Sequence, residues 1–465
     1  MIFDCNNVFD FQVGTHGISA NRIREGEGFL SEIKKRVFSK INEDYYPLKL
    51  PFEIEKETDR VIEISAAIQK DFENFVVVGM GGSSLGNQML HFAINGPYYN
   101  ENLNRTTPRM YFLDNVDPES TSSLLNNINI KKTIFNIITK SGTTGETILN
   151  LLIISDILKD KGFDYTKHLV FTTDPEKGFL RELSKTISVK TLSISPAVGG
   201  RYSALSTVGL LSAAVEGINI KDLIKGAMDE AKFIEEEAVT RVPALLFPFI
   251  QHLLYTEKGI NINALFTYSD YLSYIGNWYN QLLAESIGKR FTQDGKEVFR
   301  GITPLALRGT TDQHSVLQLL LEGPFDKLVV FIAPEQYRSD FYIEGNIADD
   351  ERVNYLKKKK YSRLIKSEYL ATKASLKQNG RPNIDIELPI ISEYELGKLI
   401  YMFEFSVIAL GEMLEVNPIN QPSVEIGKRY TYAMMGRKGY EKEKGSFRSL
   451  LTGKKDFIIS DERKE

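Results

Sequence analysis

The sequence predicts an α/β protein built from doubly wound parallel sheets. Short runs of β-branched and aromatic residues recur about every thirty residues and end near Gly, Asp or Thr. The stretches between them place apolar residues at three- and four-residue spacing, which is typical of amphipathic helices. Strands and helices that alternate in this way imply parallel strands covered by helices on both faces.

The predicted elements fall into two sets. The first has strands over 75–78, 110–113, 135–138 and 169–171, with helices over 85–95, 119–127 and 147–159. The second has strands over 264–266, 298–299 and 328–332, with helices over 271–286 and 315–321. We therefore expect a first lobe over residues 50–218, and a second lobe formed by 219–430 together with 1–49. Residues 431–465 are expected to form a C-terminal helix and tail, and the lysine run 357–360 to lie on a solvated helix face.

Composition narrows the class of protein. The chain has 465 residues, 42% hydrophobic and 25% charged, as in ordinary globular proteins. Its formal charge of -4 leaves no basic excess for nucleic acid. The single Cys5 cannot form an internal disulfide or a cysteine zinc site, which fits a reducing compartment. No secretory signal is visible, and the longest apolar runs are too interrupted to span a bilayer. These features predict a cytoplasmic enzyme or binding protein.

A glycine cluster over residues 79–86 follows the first predicted strand and precedes a helix. Glycines there let the backbone approach a ligand, and a helix N-terminus favours an anion or a polar oxygen. The cluster fails as a dinucleotide fingerprint, because Ser84 stands at the third glycine position. It does match G-x-S-x-G around Ser84. A hydrolase using Ser84 and His314 therefore stays open beside a ligand-binding turn without a nucleophile.

A second loop, over residues 139–147, follows another predicted strand and carries five hydroxyl side chains. Hydroxyls, backbone N–H groups and a helix N-terminus together can hold the oxygens of a phosphate. The loop lacks G-x-x-x-x-G-K-[ST], so it is not a nucleoside-triphosphate loop. An ordinary Thr-rich helix cap would need only one or two of these hydroxyls. The concentration of five favours a monophosphate site.

Charged and polar candidates follow along the chain. Arg201 comes after two glycines and suits a developing oxyanion, although for this residue taken alone a structural ion pair is the favoured interpretation. Gln281 and Glu285 are four residues apart near a predicted helix end, where a partly desolvated Glu becomes a better base, although a surface Glu is the simpler reading. His314 begins another predicted helix. The five histidines show no metal-ligand spacing, so we predict no metal site.

The last motif, over residues 417–428, contains two prolines and then a predicted helix that presents Gln421 and Lys428. Taken in this order, the segments from Gly79 to Lys428 resemble the phosphoglucose isomerase (glucose-6-phosphate isomerase) family in its shorter bacterial form. The resemblance implies two sugar-isomerase (SIS) lobes, each a flavodoxin-like αβα sandwich, usually in a homodimer. It implies interconversion of glucose 6-phosphate and fructose 6-phosphate, in glycolysis and gluconeogenesis, without a cofactor.

The resemblance also implies a role for each matching position. Glu285 corresponds to the base, Arg201 to the group that steadies the enediolate, and His314 and Lys428 to residues that open the ring, with His314 reaching the cleft from the partner subunit. The implied substrate contacts are Gly82, Ser83, Thr139, Lys140, Ser141, Gly142, Thr143, Thr144, Thr147, Gln281 and Gln421. Asn420 and Ser423 depart from an Asp and a Gly that are common in the family. A non-catalytic sugar-phosphate sensor and the Ser84 hydrolase remain the alternatives.

Overall fold

A computed structural model describes residues 1–347, 349–451 and 459. The chain divides into two compact units, Met1–Ile419 and Asn420–Glu465. Two five-stranded sheets form the frame of the first unit, and two helices make up the described part of the second. In the described parts of the chain, no helix is both long and apolar enough to cross a membrane.

The first sheet is entirely parallel. Its strands, in spatial order, are Arg109–Leu113, Asn74–Val78, Thr133–Thr139, Leu169–Thr173 and Lys190–Ser193. Numbered along the chain this order is 2-1-3-4-5, the doubly wound order of flavodoxin-like sheets. Its connecting helices are Gly82–Ile94, Pro118–Asn127, Gly145–Asp160 and Phe179–Thr186. The sheet confirms the predicted α/β class, and it brings the glycine turn and the hydroxyl loop to the same edge, because both follow the carboxyl ends of adjacent strands.

The second sheet is parallel except at one edge. Its strands, in spatial order, are Ile2–Asp4, Asn383–Ile390, Lys327–Gln336, Ile262–Thr267 and Thr303–Arg308. The first of these runs antiparallel to its neighbour, with Ile2 opposite Glu387. One edge of this sheet therefore joins two strands that are far apart in the sequence, Ile2–Asp4 and Asn383–Ile390.

Parts of the second set of predictions were wrong. Residues 298–299 lie in Glu297–Arg300, which pairs with Lys289–Phe291 in a separate two-stranded sheet. The lysine run does not lie on a helix, because Lys359–Lys360 forms a short strand against Tyr342–Ile343. His314 ends a short 3-10 turn, Thr311–His314, and the α-helix after it begins only at Leu317.

A nearly all-buried helix, Glu393–Met413, forms the centre of the first unit. Every residue from Leu399 to Met413 is buried, and Gly397 lets this helix press directly on the carbonyl of Leu223. The helix Ser273–Ile287 packs on it, with Tyr279 and Phe403 rings 4.9 Å apart. The remaining helices of the unit are Asp10–Val13, Asn21–Glu25, Glu27–Ser39, Leu50–Ile54, Thr58–Asp71, Thr207–Val215, Ile220–Glu236, Pro243–Lys258, Leu317–Glu322, Glu351–Asn354 and Ser362–Gln378.

The described part of the second unit contains the helices Val424–Met434 and Glu441–Leu451. They are held together by an ion pair between Arg429 and Glu443 and by the rings of Tyr430 and Phe447, 5.6 Å apart. This agrees with the predicted helical C-terminal extension.

Candidate active site

The glycine turn after the first strand is in direct backbone contact with a second turn. A Cβ atom at Gly82 would lie 2.1 Å from the carbonyl carbon of Gly200, so only glycine fits there. The hydroxyl of Ser203 donates to the carbonyl of Gly82 over 3.1 Å. On its other side, a Cβ at Gly81 would lie 3.1 Å from the amide nitrogen of Gln281. The glycine turn is therefore in contact with both the Gly200 turn and the helix Ser273–Ile287.

Glu285 lies in the last turn of this helix with both carboxylate oxygens engaged. Oε1 accepts a hydrogen bond from Gln281 Nε2 over 3.2 Å, and Oε2 accepts one from Arg201 Nη1 over 3.2 Å. The Glu285 side chain is 32% exposed. The four-residue spacing of Gln281 and Glu285 thus has the predicted result, because it places both side chains on one face. The outcome is an oriented carboxylate that a small molecule can reach.

Arg201 is almost completely buried, with 2% of its surface exposed. Besides Glu285, its guanidinium donates from Nε to Ser286 Oγ over 2.7 Å and from Nη2 to the carbonyl of Pro418 over 2.6 Å. The hydroxyl of Tyr202 donates to the same carbonyl over 3.2 Å. Arg201 does pair with a carboxylate, as the structural alternative held, but that carboxylate is the predicted base. A permanent positive charge is therefore fixed beside Glu285.

The hydroxyl loop forms a compact cluster at the start of the helix Gly145–Asp160. The Oγ1 atoms of Thr139 and Thr144 are 2.8 Å apart, and Ser141 Oγ lies 3.4 Å from Thr139 Oγ1. Thr147 Oγ1 is buried and finds no hydrogen-bond partner among the described residues. Buried hydroxyls are normally paired, so this one retains unused hydrogen-bonding capacity, and its contact with a ligand stays a prediction. Clustered hydroxyls at a helix N-terminus suit an anion.

Two further loop residues shape this cluster. Gly142 has φ +67° and packs against the backbone of Phe179. The ammonium of Lys140 donates to the carbonyls of Pro196 and Val198, each over 3.0 Å, and burial lowers its pKa. Lys140 therefore ties the hydroxyl loop to the segment that leads to Arg201. Its direct contact with substrate, and that of Gly142 and Thr143, stays a prediction.

Lys289 lies beside the site, and reasoning from the sequence missed it. This buried side chain donates its ammonium hydrogen to the backbone carbonyl of Glu285, at the end of the helix. Burial lowers the pKa of Lys289 to about 8, and the positive charge of Arg201 acts in the same direction. A cation at a helix C-terminus is favourable, and the Glu-x-x-x-Lys spacing was a signal that could have revealed it.

His314 lies on the surface. No hydrogen bond joins it to Glu285 of the same chain. Its turn is anchored on both sides, because Asp312 accepts from the backbone N–H of Arg308 over 2.7 Å and Gln313 donates to the Tyr268 hydroxyl over 2.6 Å. His314 is exposed, and its imidazole makes no hydrogen bond or ion pair with any described residue. The imidazole is thus presented outward from a fixed base.

Ser84 is not presented as a nucleophile. Its side chain is 1% exposed, accepts from Gln88 Nε2 over 2.8 Å and lies 3.4 Å from Asp114 Oδ2. A nucleophile elbow requires an exposed hydroxyl, so the hydrolase alternative loses its support. Ser83, by contrast, is half-buried at the start of the helix Gly82–Ile94.

Gln421 and Lys428 belong to the second compact unit. Lys428 is exposed on the helix Val424–Met434, where its ammonium pairs with Glu425 over 2.7 Å. Gln421 lies just before that helix. The part that these two residues play in the site stays a prediction.

The amino-acid sequence is similar to those of proteins from one known family. The family model described as "Phosphoglucose isomerase" matches residues 57–452. The chain is 44% identical to the glucose-6-phosphate isomerase of Carboxydothermus hydrogenoformans, over 88% of this chain and 89% of that one. It is 38% identical to the glucose-6-phosphate isomerase of Rubrobacter xylanophilus, over 94% and 98% of the two chains.

Two solved structures have the same fold as this chain. A hypothetical protein of Thermus thermophilus superimposes with a TM-score of 0.82 at 31% identity, over 94% of this chain and 99% of that one. A glucose-6-phosphate isomerase of Chlamydia trachomatis shares the fold with a TM-score of 0.74 at 23% identity, over 85% and 76% of the two chains. The resemblance seen in the sequence is thereby confirmed, and the chain belongs to the phosphoglucose isomerase family.

Proposed function

We propose that this chain is a glucose-6-phosphate isomerase, which interconverts D-glucose 6-phosphate and D-fructose 6-phosphate in glycolysis and gluconeogenesis. The relatives that cover most of the chain carry that name. The observation that carries the proposal is the Glu285 carboxylate, held between Arg201 and Gln281 and still partly open to solvent.

Glu285 acts as the general base in this proposal. Converting an aldose to a ketose requires an open ring and removal of a proton from the carbon beside the carbonyl. One carboxylate can take that proton and return it to the neighbouring carbon, through a cis-enediol(ate). Arg201 lies beside Glu285, and its hydrogen bonds to Ser286, Glu285 and Pro418 fix its charge in place, so it can stabilise negative charge as it develops on the substrate oxygens.

The hydroxyl loop holds the phosphate. Thr139, Ser141, Thr144 and Thr147 supply hydroxyls, and the first N–H groups of the helix Gly145–Asp160 supply further donors. Binding energy from the phosphate orients the reacting carbons, which lie at the other end of the molecule. Ser83, Gly82, Gln281 and Gln421 contact the sugar in the same scheme.

Ring opening is assigned to His314 and Lys428, with His314 donated by a second copy of the chain in a homodimer. The outward presentation of His314 on an anchored turn supports this assignment. We place the enzyme in the cytoplasm, because a single Cys5 in a long chain fits a reducing compartment.

The decisive experiment is conversion of fructose 6-phosphate to glucose 6-phosphate in excess EDTA, for the wild type and Glu285→Gln. General bases contribute roughly 10²–10⁴-fold, so kcat should fall by that factor while KM stays similar. Glu297→Gln, which removes an exposed carboxylate paired with Arg290, is the matched control and should keep full activity. Folded wild type that binds fructose 6-phosphate without turnover would favour the sensor over the enzyme.

The homodimer has its own test. Glu285→Gln and His314→Ala should each be nearly inactive alone. Mixed dimers of the two variants contain one site with an intact Glu285 and a partner's intact His314, so refolding them together should restore part of the activity. Continued inactivity of mixed dimers that are shown to form would remove the donated His314 from the scheme.

A further inference from the structure

A network of hydrogen bonds links the guanidinium of Arg201 to Tyr202, the next residue along the chain. Arg201 Nε donates to Ser286 Oγ over 2.7 Å, and Arg201 Nη2 donates to the carbonyl of Pro418 over 2.6 Å. The hydroxyl of Tyr202 lies 3.0 Å from Ser286 Oγ and 3.2 Å from the Pro418 oxygen. Tyr202 therefore contacts the same two groups that hold these guanidinium nitrogens, and the four residues form a closed network.

The contacts of this network fix the direction in which each hydrogen points. A carbonyl oxygen only accepts, so the Tyr202 hydroxyl donates its single hydrogen to Pro418. The Tyr202 oxygen can then accept, and the Ser286 hydroxyl donates to it. The Ser286 oxygen keeps a lone pair for the N–H of Arg201 Nε. Burial raises the pKa of Tyr202, so its hydroxyl keeps the proton that this arrangement requires.

The network depends on the tyrosine hydroxyl because all of its side chains are buried. Tyr202 and Ser286 are 0% exposed and Arg201 is 2% exposed, so water is not at hand to replace a lost bond. Without the Tyr202 hydroxyl, Ser286 would lose its acceptor. A serine in a helix then donates to a carbonyl one turn back, which would turn the Ser286 oxygen away from Arg201. The aromatic ring, 5.2 Å from the guanidinium carbon, would remain in a phenylalanine.

The network acts on the candidate base through the third nitrogen of Arg201. Nη1 donates to Glu285 Oε2 over 3.2 Å, at the long end of ordinary N–H···O hydrogen bonds. Glu285 and Ser286 are consecutive residues of the helix Ser273–Ile287, which therefore offers Arg201 two neighbouring partners. A guanidinium is planar and rigid, so fixing Nε and Nη2 also fixes Nη1. Rotation of the guanidinium would move its positive charge away from Glu285.

We propose that Tyr202 is a positioning residue, whose hydroxyl acts through Ser286 and the Pro418 carbonyl to hold the Arg201 guanidinium where it meets negative charge on the substrate. This role rests on the proposed function, because it serves the enediolate that forms beside Glu285. Tyr202 is fully buried and so does not itself touch substrate. Its hydroxyl should therefore matter for turnover and little for binding of the phosphate.

The first test compares Tyr202→Phe with Tyr279→Phe in the conversion of fructose 6-phosphate to glucose 6-phosphate. Tyr279 is the matched control, because it is another fully buried tyrosine with a hydrogen bond of its own, from Gln251 over 3.1 Å. Misplacing a group by about 1 Å can cost roughly 10²-fold in rate, so Tyr202→Phe should lower kcat about tenfold or more with little change in KM. Tyr279→Phe should keep the wild-type kcat. Equal kcat values for the two variants, or a loss confined to KM, would overturn the proposal.

Binding of two open-chain sugar phosphates tests the position of Arg201 without turnover. D-Arabinonate 5-phosphate carries a carboxylate, which is negatively charged as the enediolate is, whereas D-glucitol 6-phosphate carries neutral hydroxyls. In isothermal titration, Tyr202→Phe should bind the arabinonate about tenfold more weakly than the wild type does and the glucitol equally well. An equal loss for both would mean general damage to the site and would refute the positioning role. Absence of wild-type turnover would count against the proposed function, and this comparison would still decide the role of Tyr202.

Ser286 connects Tyr202 to Arg201, so the two hydroxyls should not act independently. Ser286→Ala should lower kcat by at least as much as Tyr202→Phe does. In the double variant the loss should be clearly smaller than the product of the two single losses. Full multiplication of the losses would mean that Tyr202 acts by another route. Urea unfolding shows whether each variant is folded, and Tyr202→Phe, which keeps the buried ring, decides the matter if Ser286→Ala is not.

Discussion

Replacing Gly82 with alanine should separate the two turns that build the active site. The new Cβ would lie 2.1 Å from the carbonyl carbon of Gly200, 2.2 Å from its oxygen and 2.6 Å from the backbone nitrogen of Arg201. Ordinary contacts begin near 3.4 Å, so the backbones must move apart by about 1.3 Å. No flexible side chain is available to absorb this movement.

The expected losses of stability and turnover in Gly82→Ala depend on how far the backbone of Gly200 and Arg201 is displaced. Overpacking a core typically costs about 1–3 kcal/mol, and a backbone-to-backbone clash should reach the upper end of that range. Arg201 directly follows Gly200, and its bond to Glu285 is already 3.2 Å long. A displacement of about 1 Å at a catalytic group can cost roughly 10²-fold in rate. We therefore expect Gly82→Ala to lose both stability and turnover.

Urea unfolding and the rate of fructose 6-phosphate conversion measure these two losses. Gly200→Ala is the matched control across the same contact, because its Cβ would meet Gly82 Cα at an ordinary 3.6 Å. Gly28→Ala is the second control, since a Cβ there meets nothing within 4 Å in the helix Glu27–Ser39, and it should stabilise by up to about 1 kcal/mol. Equal stability and activity of Gly82→Ala and Gly200→Ala would refute the close backbone contact between Gly82 and Gly200.

Three further predictions concern the phosphate loop and two buried titratable groups. Thr144→Ala should weaken fructose 6-phosphate binding by about 1–3 kcal/mol, the range for a hydrogen bond to a charged group, and calorimetry that finds unchanged affinity would count against the hydroxyl loop. The pKa of Lys289 is about 8, so deprotonation should reduce kcat above that pH. Lys289→Arg stays charged and should move this decline to higher pH, whereas an identical pH–rate profile would exclude Lys289 as its cause. Burial raises the pKa of Glu230 from 4.5 to about 7. Because the folded state then binds the proton more tightly, the free energy of unfolding should fall as pH rises between these values, and urea titrations should show a smaller fall in Glu230→Gln.

Four strands of the first sheet were predicted from the sequence because apolar residues dominate them and they end near Gly, Asp or Thr, whereas the polar edge strand Lys190–Ser193 was missed. The second sheet was harder. Asn383–Ile390 escaped notice because Asp385 and Glu387 interrupt its apolar pattern, and the buried Asp385 is compensated only in three dimensions, by Tyr369 and Lys373. Whether Glu297–Arg300 or Thr303–Arg308 joins the sheet depends on pairing with Ile262–Thr267, which local pattern does not encode.

In the candidate site, too, some contacts could be predicted from the local sequence and others depend on the tertiary structure. The contact of Gln281 with Glu285 follows from helical spacing, and the hydroxyl cluster follows from its position after a strand. The contact of Arg201 with Glu285 joins residues 84 positions apart, so no local rule predicts it. Burial of Ser84 likewise depends on Asp114 from the adjacent strand end, so the G-x-S-x-G match could not be decided from local sequence.

The edge strand Ile2–Asp4 has a consequence for folding of the chain during translation. All five strands of the first sheet lie within Asn74–Ser193, so that sheet can close while most of the second has yet to be translated. Ile2–Asp4 precedes every other described strand in the sequence, yet its partner Asn383–Ile390 follows all the other strands of the second sheet. Pairing between segments so distant in sequence is slow, and unpaired edges are prone to aggregate. Ile2–Asp4 therefore has no partner strand until Asn383–Ile390 has been translated, so the second sheet can be completed only after nearly all of the first unit has been made.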